Sequence, residues 1–314
     1  MAEKIVVVAG PTASGKTALG IALAKEWNGE IVSADSMQVY RGMDIGTAKA
    51  TPAERQGIPH HMLDVAEPWE EYSVARYVEL AEACCRDILS RGKRPILVGG
   101  TGLYIDSLIS GRDFAAVDSD QGLREALSAE YDNLGGQAMH RRLQEIDPER
   151  AAILHPGDKR RIVRALEVYR LTGMTITEHD RQTRALPRRF DAAAIHLNFK
   201  NRSALYDRID RRVDKMVELG LFREVEGLLA RGLSPESTAM QAIGYKEAVR
   251  ALQGELSREE AVALIKQSSR RYAKRQLTWF GRDQEALRIL WDDEPDFEYA
   301  RRVSTEFLHS RGLS

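Results

Sequence analysis

Apolar residues fall into two patterns along this chain. Short, nearly continuous runs of strand length recur at residues 4–9 (KIVVVA), 30–34 (EIVSA), 94–98 (RPILV), 191–199 (DAAAIHLNF) and 287–291 (LRILW). Runs without polar alternation predict strands buried on both faces, as in a parallel sheet. Residues 60–65 (HHMLDV) predict one more short strand. Between the first runs the spacing turns helical. It does so over residues 18–27 (ALGIALAKEW) and again over residues 73–91. In the second, Val74, Tyr77, Val78, Ala81 and Ile88 share one face and Gly92 ends the helix. Strands alternating with helices predict an α/β fold.

From Gly111 to about Arg189 the alternation stops. Helices are expected over residues 119–131, 136–146 and 158–172, the last ended by Gly173. The strand pattern then returns. The expected organisation is a core domain from residues 1–111 and 190–314, interrupted by an all-helical insertion over 112–189. After the insertion, Leu205, Ile209, Val213 and Met216 form the seam of an amphipathic helix ended by Gly220. Arg208 and Arg212 flank that seam. Each can be a snorkelling surface residue or an inward phosphate ligand, and spacing does not choose. Ser257 with Glu260 makes a capping box for a long helix reaching Phe280, and a charged helix closes the chain.

With 314 residues, 43% apolar and 30% charged, the chain has material for about two domains. No apolar run nears the ~18 residues of a membrane span. The first strand begins almost at once, which leaves no room for a signal peptide. Cys84 and Cys85 are adjacent in a predicted helix, unsuited to an ordinary structural disulfide or a zinc site, in keeping with a reducing cytosol. His60 and His61 lack a spaced partner for a metal. The net charge of −1 supplies no overall field for nucleic acid, so any such binding needs local basic patches. One is Lys159, Arg160, Arg161, Arg164 and Arg170 around an apolar face of Ile162, Leu166 and Tyr169, followed by Arg181, Arg184, Arg188 and Arg189. Few acids balance it, yet composition alone leaves a solvated surface and a phosphate-binding surface both open. The other is Lys266, Arg270, Arg271, Lys274 and Arg275, leading into Trp279 and Phe280.

The chemistry-bearing stretch is Gly10-Pro11-Thr12-Ala13-Ser14-Gly15-Lys16-Thr17, a complete G-x-x-x-x-G-K-[ST] phosphate loop between a strand and a helix. Its backbone N–H groups and the helix N-terminus suit a diphosphate or polyphosphate. Lys16 would hold an outer phosphate, and the Thr17 hydroxyl would reach Mg²⁺. The second strand ends at Asp35, which is either a functional carboxylate near this loop or a turn and cap residue. Residues 37–51 are long for a structureless connection, and Tyr40, Arg41 and Lys49 favour a substrate loop. The 94–98 strand runs into Gly99-Gly100-Thr101-Gly102, a second glycine turn whose Thr101 could meet a phosphate or the substrate. It carries no strand-end carboxylate of the kind that organises Mg²⁺ and water in a nucleotide hydrolase, and Asp64 is the remaining candidate. Hydrolysis of a nucleotide is therefore not the expected activity.

Taken together, GPTASGKT, SADSMQVYRGMDIGTAK, VGGTGLY, HPGDKRRIVRALEVYRLTG, QAIGYKE and KRQLTWF resemble the bacterial tRNA dimethylallyltransferases (tRNA isopentenyltransferases), in order and over nearly the whole chain. The resemblance implies a P-loop NTPase-like parallel sheet flanked by helices, with an inserted all-helical domain. It implies transfer of a dimethylallyl group from dimethylallyl diphosphate to N6 of the adenosine just 3′ of a tRNA anticodon, with Mg²⁺ and no organic cofactor. It also implies roles. Asp35 would be the base, and Thr17, Thr101 and Arg212 would contact the diphosphate or reacting groups. Asp35, Ser36, Met37, Gln38, Thr101, Arg124, Lys159, Arg160, Arg161, Ile162, Arg164, Gln241, Gly244, Lys246, Arg271, Lys274 and Arg275 would meet the anticodon stem-loop. A cytoplasmic monomer is expected, and ATP is a further possible occupant of the loop. The alternatives are a P-loop small-molecule or nucleotide kinase, prenyl transfer to a free adenine nucleotide, and a non-catalytic RNA-binding module.

Overall fold

The computed structural model describes residues 3–111, 120–184 and 186–313. The predicted helix start at Ser119, the predicted boundary at residue 112 and the Arg184 side chain lie outside that description. Each apolar run becomes a strand of one parallel sheet: β1 (Glu3–Ala9), β2 (Gly29–Ala34), β3 (His60–His61), β4 (Arg94–Gly99), β5 (Phe190–Phe199) and β6 (Leu287–Trp291), in the order β3-β2-β4-β1-β5-β6. β1 lies inside the sheet between β4 and β5, which suits its unbroken apolar run, and Ile5 to Ala9 are fully buried. β3 is shorter than the apolar run suggested. Met62 and Asp64 adopt φ of 63° and 56°, and left-handed backbone ends an extended strand.

Register brings three strand ends level. Ala9 of β1 and Ala34 of β2 both lie opposite Gly99 of β4. Gly10, Asp35 and Gly100 therefore leave the sheet side by side at its carboxyl edge, where ligands gather in open α/β sheets. The register also explains why β4 ends in glycine. A Cβ on Gly99 would lie 2.1 Å from the Ala34 carbonyl oxygen, so the strands approach too closely for any side chain, a carboxylate included.

The chain divides into two compact units, Met1–Ile109 with Phe190–Ser314, and Ser110–Arg189. The first holds two apolar cores. One packs β1, β4 and β5 against the Lys16–Glu26 and Phe297–Ser310 helices through Val6, Leu19, Ile96, Ile195 and Leu308. The other gathers Tyr40, Met43, Val213, Leu221, Tyr245 and Ile265. A helix at Leu221–Ala230 was not legible in the sequence. Gly220 ends the Arg202–Leu219 helix and begins this one directly, so no turn signal separates them. Cys85 is buried on the Val74–Ser90 helix, where burial pushes its thiol up to about 12.

The second unit comprises the helices Gln121–Leu134, Gly136–Ile146, Pro148–Ile153, Lys159–Thr172 and Ile176–Arg184 around Leu127, Leu143, Val163 and Leu166. The two short helices were not expected. Buried Asp147 joins their starts, accepting from Arg150 N at 3.1 Å and from Thr177 Oγ1 at 2.6 Å. Two sequence expectations need correction here. Ile162 is fully buried in the unit's core, so it supports the helix and offers no side chain to RNA. The basic cluster is also well balanced by acids, some on its own helix and some on others. Glu167, fully buried, takes Arg124 at 3.2 Å and Arg164 at 2.9 Å, and Lys159 pairs with Asp132 at 2.6 Å. Arg161 lies 3.7 Å from Asp158. Arg160 is exposed and has no ion pair among the described residues.

Candidate active site

The phosphate loop takes its shape from three backbone exceptions. Gly10 has φ of +150°, and a Cβ there would meet the Leu197 carbonyl oxygen at 2.4 Å. Ala13 and Gly15 have φ of 63° and 89°. Gly15 then starts the Lys16–Glu26 helix without a side-chain cap, so the first N–H groups of that helix are open to an anion. The buried Ser14 hydroxyl has no partner among the described residues. Lys16 Nζ curls back to donate to Pro11 O at 2.6 Å.

Side chains from three distant elements hold successive peptide groups of the loop. Thr12 N donates to Gln276 Oε1 at 2.9 Å, Arg208 Nε donates to Ala13 O at 3.2 Å, and Trp291 Nε1 donates to Ser14 O at 2.9 Å. This settles the two arginines that spacing left open. Arg208 supports the loop from behind and pairs with Glu294, while Arg212 lines the cavity in front.

That cavity measures ≈ 390 Å³. Thr12, Lys16 and Thr17 line it together with Asp35, Ser36, Met37 and Gln38. Asp35 Oδ1 accepts from Met37 N at 2.9 Å and Gln38 N at 3.4 Å. Its Oδ2 makes no hydrogen bond to the described residues. One oxygen thus fixes the turn, as the turn reading expects, and the residue also lines the cavity. Burial, then the Arg212 charge, lowers Lys16 to about 7 against the pull of Asp35. Burial also lowers Arg212, again opposed by Asp35, but a guanidinium stays cationic. Gln241, Lys246 and Arg275 line the cavity too, as do the apolar Ile31, Val98, Ile209, Val213 and Ile265.

Other predicted residues stand off the cavity. Gly10, Pro11, Ala13, Ser14 and Gly15 form the loop behind it. Thr101 joins strand ends: its N donates to Ala34 O at 3.0 Å, and its Oγ1 accepts from Ser36 N at 3.0 Å. Gly244, with φ of +98°, starts the Tyr245–Leu252 helix. Arg271 and Lys274 are exposed on the Arg258–Phe280 helix without ion pairs among the described residues, whereas Arg270 and Lys266 are committed to Asp210 and Asp214 at 2.6 Å. Arg124, Lys159, Arg160, Arg161 and Arg164 belong to the helical unit.

The 37–51 segment lines the cavity, but not through the residues that had suggested it. Tyr40 is buried, and Lys49 is buried with its Nζ on Tyr40 O, Asp44 and Asp64 at 2.9, 2.6 and 2.6 Å. Asp64 is thereby consumed and does not serve the phosphate loop. Gln276 and Tyr272 are cavity residues that sequence reasoning missed. Tyr272 is pushed up to about 12 by burial, then by Asp35. Gln276 lay inside a quoted motif, KRQLTWF, but only the fold shows what its amide holds. Among the described residues, no three His, Cys, Asp or Glu side chains are grouped for a metal. A Mg²⁺ shared between the Thr17 hydroxyl and diphosphate oxygens requires no such group, because this ion keeps waters and takes substrate phosphates.

Known proteins resemble this chain in sequence and in fold. Residues 38–283 match the IPP transferase family, and residues 3–67 match the isopentenyl transferase family. The chain belongs to the IPP transferase family. Among relatives, a tRNA dimethylallyltransferase of Geobacillus thermodenitrificans is 50% identical, covering 99% of this chain and 98% of its own. Another, of Caldanaerobacter subterraneus subsp. tengcongensis, is 48% identical over 98% of each chain. The crystal structure of the full-length tRNA isopentenylpyrophosphate transferase of Bacillus halodurans superposes with a TM-score of 0.73 at 42% identity, covering 99% of this chain and 98% of that one. A eukaryotic dimethylallyltransferase captured acting on tRNA superposes with a TM-score of 0.82 at 31% identity, covering 98% of this chain and 80% of that one. These neighbours carry the P-loop NTPase-like fold that the sheet order describes.

Proposed function

We propose that this chain transfers a dimethylallyl group from dimethylallyl diphosphate to N6 of the adenosine 3′ of a tRNA anticodon, releasing diphosphate. One observation carries the reading. Asp35, with one carboxylate oxygen left without a hydrogen bond to the described residues, lines a single cavity together with Arg212 and with Lys16 and Thr17 of an uncapped phosphate loop. The adenine amine is a weak nucleophile because its lone pair is delocalised into the ring. As N6 bonds to the allylic carbon, the carbon–oxygen bond to diphosphate breaks and Asp35 Oδ2 takes the N6 proton. Charge grows on the departing diphosphate, and the loop N–H groups, Lys16 and Arg212 stabilise it. Thr17 would hold Mg²⁺, which when bound adds positive charge beside the leaving group. Apolar Ile31, Val98, Ile209 and Val213 leave space for a five-carbon tail and exclude water from it.

The base reaches the cavity only by leaving its stack. Ser36, Met37 and Gln38 would border it. Arg160, Arg271, Lys274 and Arg275 would meet phosphates of the anticodon stem-loop, with Gln241 and Lys246 at the mouth. The enzyme would act as a cytoplasmic monomer. No helix of the described residues is long and apolar enough to cross a membrane.

The test supplies Mg²⁺, dimethylallyl diphosphate and an unmodified tRNA reading codons that begin with U, with parallel arms of AMP and of ATP without prenyl donor. Mass spectrometry is expected to find dimethylallyl-adenosine on tRNA alone. Product on AMP would move the acceptor to free nucleotides, and ATP consumption without prenyl product would make this a kinase. Asp35→Asn is expected to lower kcat by about 10²–10⁴-fold while RNA affinity holds. Near-normal turnover in that variant would remove Asp35 as the base.

A further inference from the structure

One face of the Arg258–Phe280 helix places Ile265, Ser269, Tyr272 and Gln276 in line along the cavity, at the four-, three- and four-residue spacing of a helical stripe. Gln276 is the deepest polar member, 5% exposed. Both ends of its carboxamide are engaged: Oε1 accepts from Thr12 N at 2.9 Å, and Nε2 donates to Gly100 O at 2.9 Å. The fold makes room for it, because a Cβ on Gly100 would lie 2.3 Å from Nε2.

The bridge does not stop at Gly100. The next residue, Thr101, accepts the Ser36 N–H on its Oγ1 at 3.0 Å, and its own N–H donates to Ala34 O at 3.0 Å. Ser36 follows Asp35 directly. A continuous run of hydrogen bonds thus leads from the phosphate loop, through the Gln276 amide and the second glycine turn, to the carboxylate turn opposite. The sheet alone does not fix this spacing. β4 lies between β1 and β2; beyond its end the Thr101 N–H to Ala34 O bond ties it to β2, and the Gln276 amide ties Gly100 to the phosphate loop.

We propose that Gln276 is a positioning residue that sets the distance between the diphosphate cradle and the Asp35 turn. This rests on the prenyl-transfer reading above. In a displacement the nucleophile, carbon and leaving group must be aligned, and small misplacements are costly in rate. A carboxamide suits the task because it presents a donor and an acceptor on opposite atoms. A carboxylate presents two acceptors and would face the Gly100 carbonyl with its own lone pairs. A thioether of the same length would leave Thr12 N–H and Gly100 C=O without partners.

Three proteins test this in the tRNA prenylation assay: the parent, Gln276→Met and Gln276→Glu. Titration of inorganic pyrophosphate and of an anticodon stem-loop RNA, each alone, runs in parallel. Gln276→Met is expected to lower kcat about 10- to 100-fold. RNA affinity should stay within about twofold, and pyrophosphate affinity should fall by less than kcat. The decisive readout is the pH dependence of Gln276→Glu. Once protonated, the carboxyl of that variant donates its O–H to Gly100 O and accepts from Thr12 N on its C=O, which restores both bonds. Burial beside a carbonyl raises its pKa above the ~4.3 of free glutamate. The kcat of Gln276→Glu, divided by that of the parent at the same pH, should therefore rise about tenfold or more as pH falls from about 8 to 5.5. Taking the ratio cancels the titration of Lys16.

A flat ratio, or kcat in Gln276→Met within twofold of the parent, would overturn the proposal and leave Gln276 a packing residue. Failure of the functional reading has a different signature. The parent itself would then make no prenyl product on tRNA.

Discussion

Lys16 lies in the cavity between Arg212 and Asp35, and its lowered pKa of about 7 has a thermodynamic consequence. Above pH 7 the free protein holds this amine mostly neutral. Diphosphate favours the ammonium, so binding should draw a proton from solution. Below about pH 6 the amine is already charged and the uptake should vanish. Calorimetry of pyrophosphate binding at pH 8, in buffers of different ionisation enthalpy, should show about one proton more taken up by the parent than by Lys16→Arg. Equal proton counts would place Lys16 at its ordinary pKa. The same shift has a sign for folding. The unfolded chain binds more protons at this site between about pH 7 and 10.5, so stability rises with pH through that window as the cost of burying the charge is relieved. Lys16, Thr17 and Asp35 were legible from a local motif because the phosphate loop is contiguous in sequence. Gln276, Arg208 and Trp291 were not, because each meets that loop from more than 190 positions away.

The 37–51 segment shows how an element can be found yet misread. Its length and polarity marked it as functional, and it does line the cavity. Its most suggestive side chains, Tyr40 and Lys49, instead bind it to the body of the protein. The main anchor comes from elsewhere: Glu224 accepts from Asp44 N, Ile45 N and Gly46 N at 2.9, 2.8 and 3.2 Å, and from Tyr245 Oη at 2.5 Å. Gly46 is required for that seat, because a Cβ would enter the Tyr245 ring at 2.4 Å. Glu224→Ala leaves three backbone donors and a phenol without their acceptor. It should lower unfolding free energy by about 2–3 kcal/mol in urea denaturation. Trypsin should also cut faster at Arg41. A change under about 0.5 kcal/mol would show that the segment holds without this anchor. The strands were legible because burial on both faces writes itself as continuous apolar sequence. The Leu221–Ala230 helix was not, because Gly220 serves both its neighbours.

At the scale of the whole chain, a net charge of −1 means that any attraction for RNA is local. Counting basic residues overstated the helical unit. Asp132 meets Lys159 from a neighbouring helix, and Glu167, on the same helix as Arg164, takes both Arg164 and the distant Arg124, pairings that a count of charges does not show. Within the other unit, Arg271 and Lys274 keep their charge uncommitted. Replacing both with alanine should weaken stem-loop binding at low salt and reduce the slope of log affinity against log salt by about 1 to 2. Replacing Lys266, already committed to Asp214, should move that slope far less. Equal effects from both would mean that the ion pairs open on binding.

The grip on the phosphate loop also bears on how the protein is made. Residues 10–17 leave the ribosome long before Arg208, Gln276 and Trp291, each of which follows its loop partner by more than 190 positions. β1 likewise waits for β5, beyond the helical unit, to gain its second neighbour. A nascent chain builds its domains as they emerge. Here the support of the phosphate loop is completed only once Trp291 has emerged, so a product terminated before that position would carry the full motif and lack the support that shapes it.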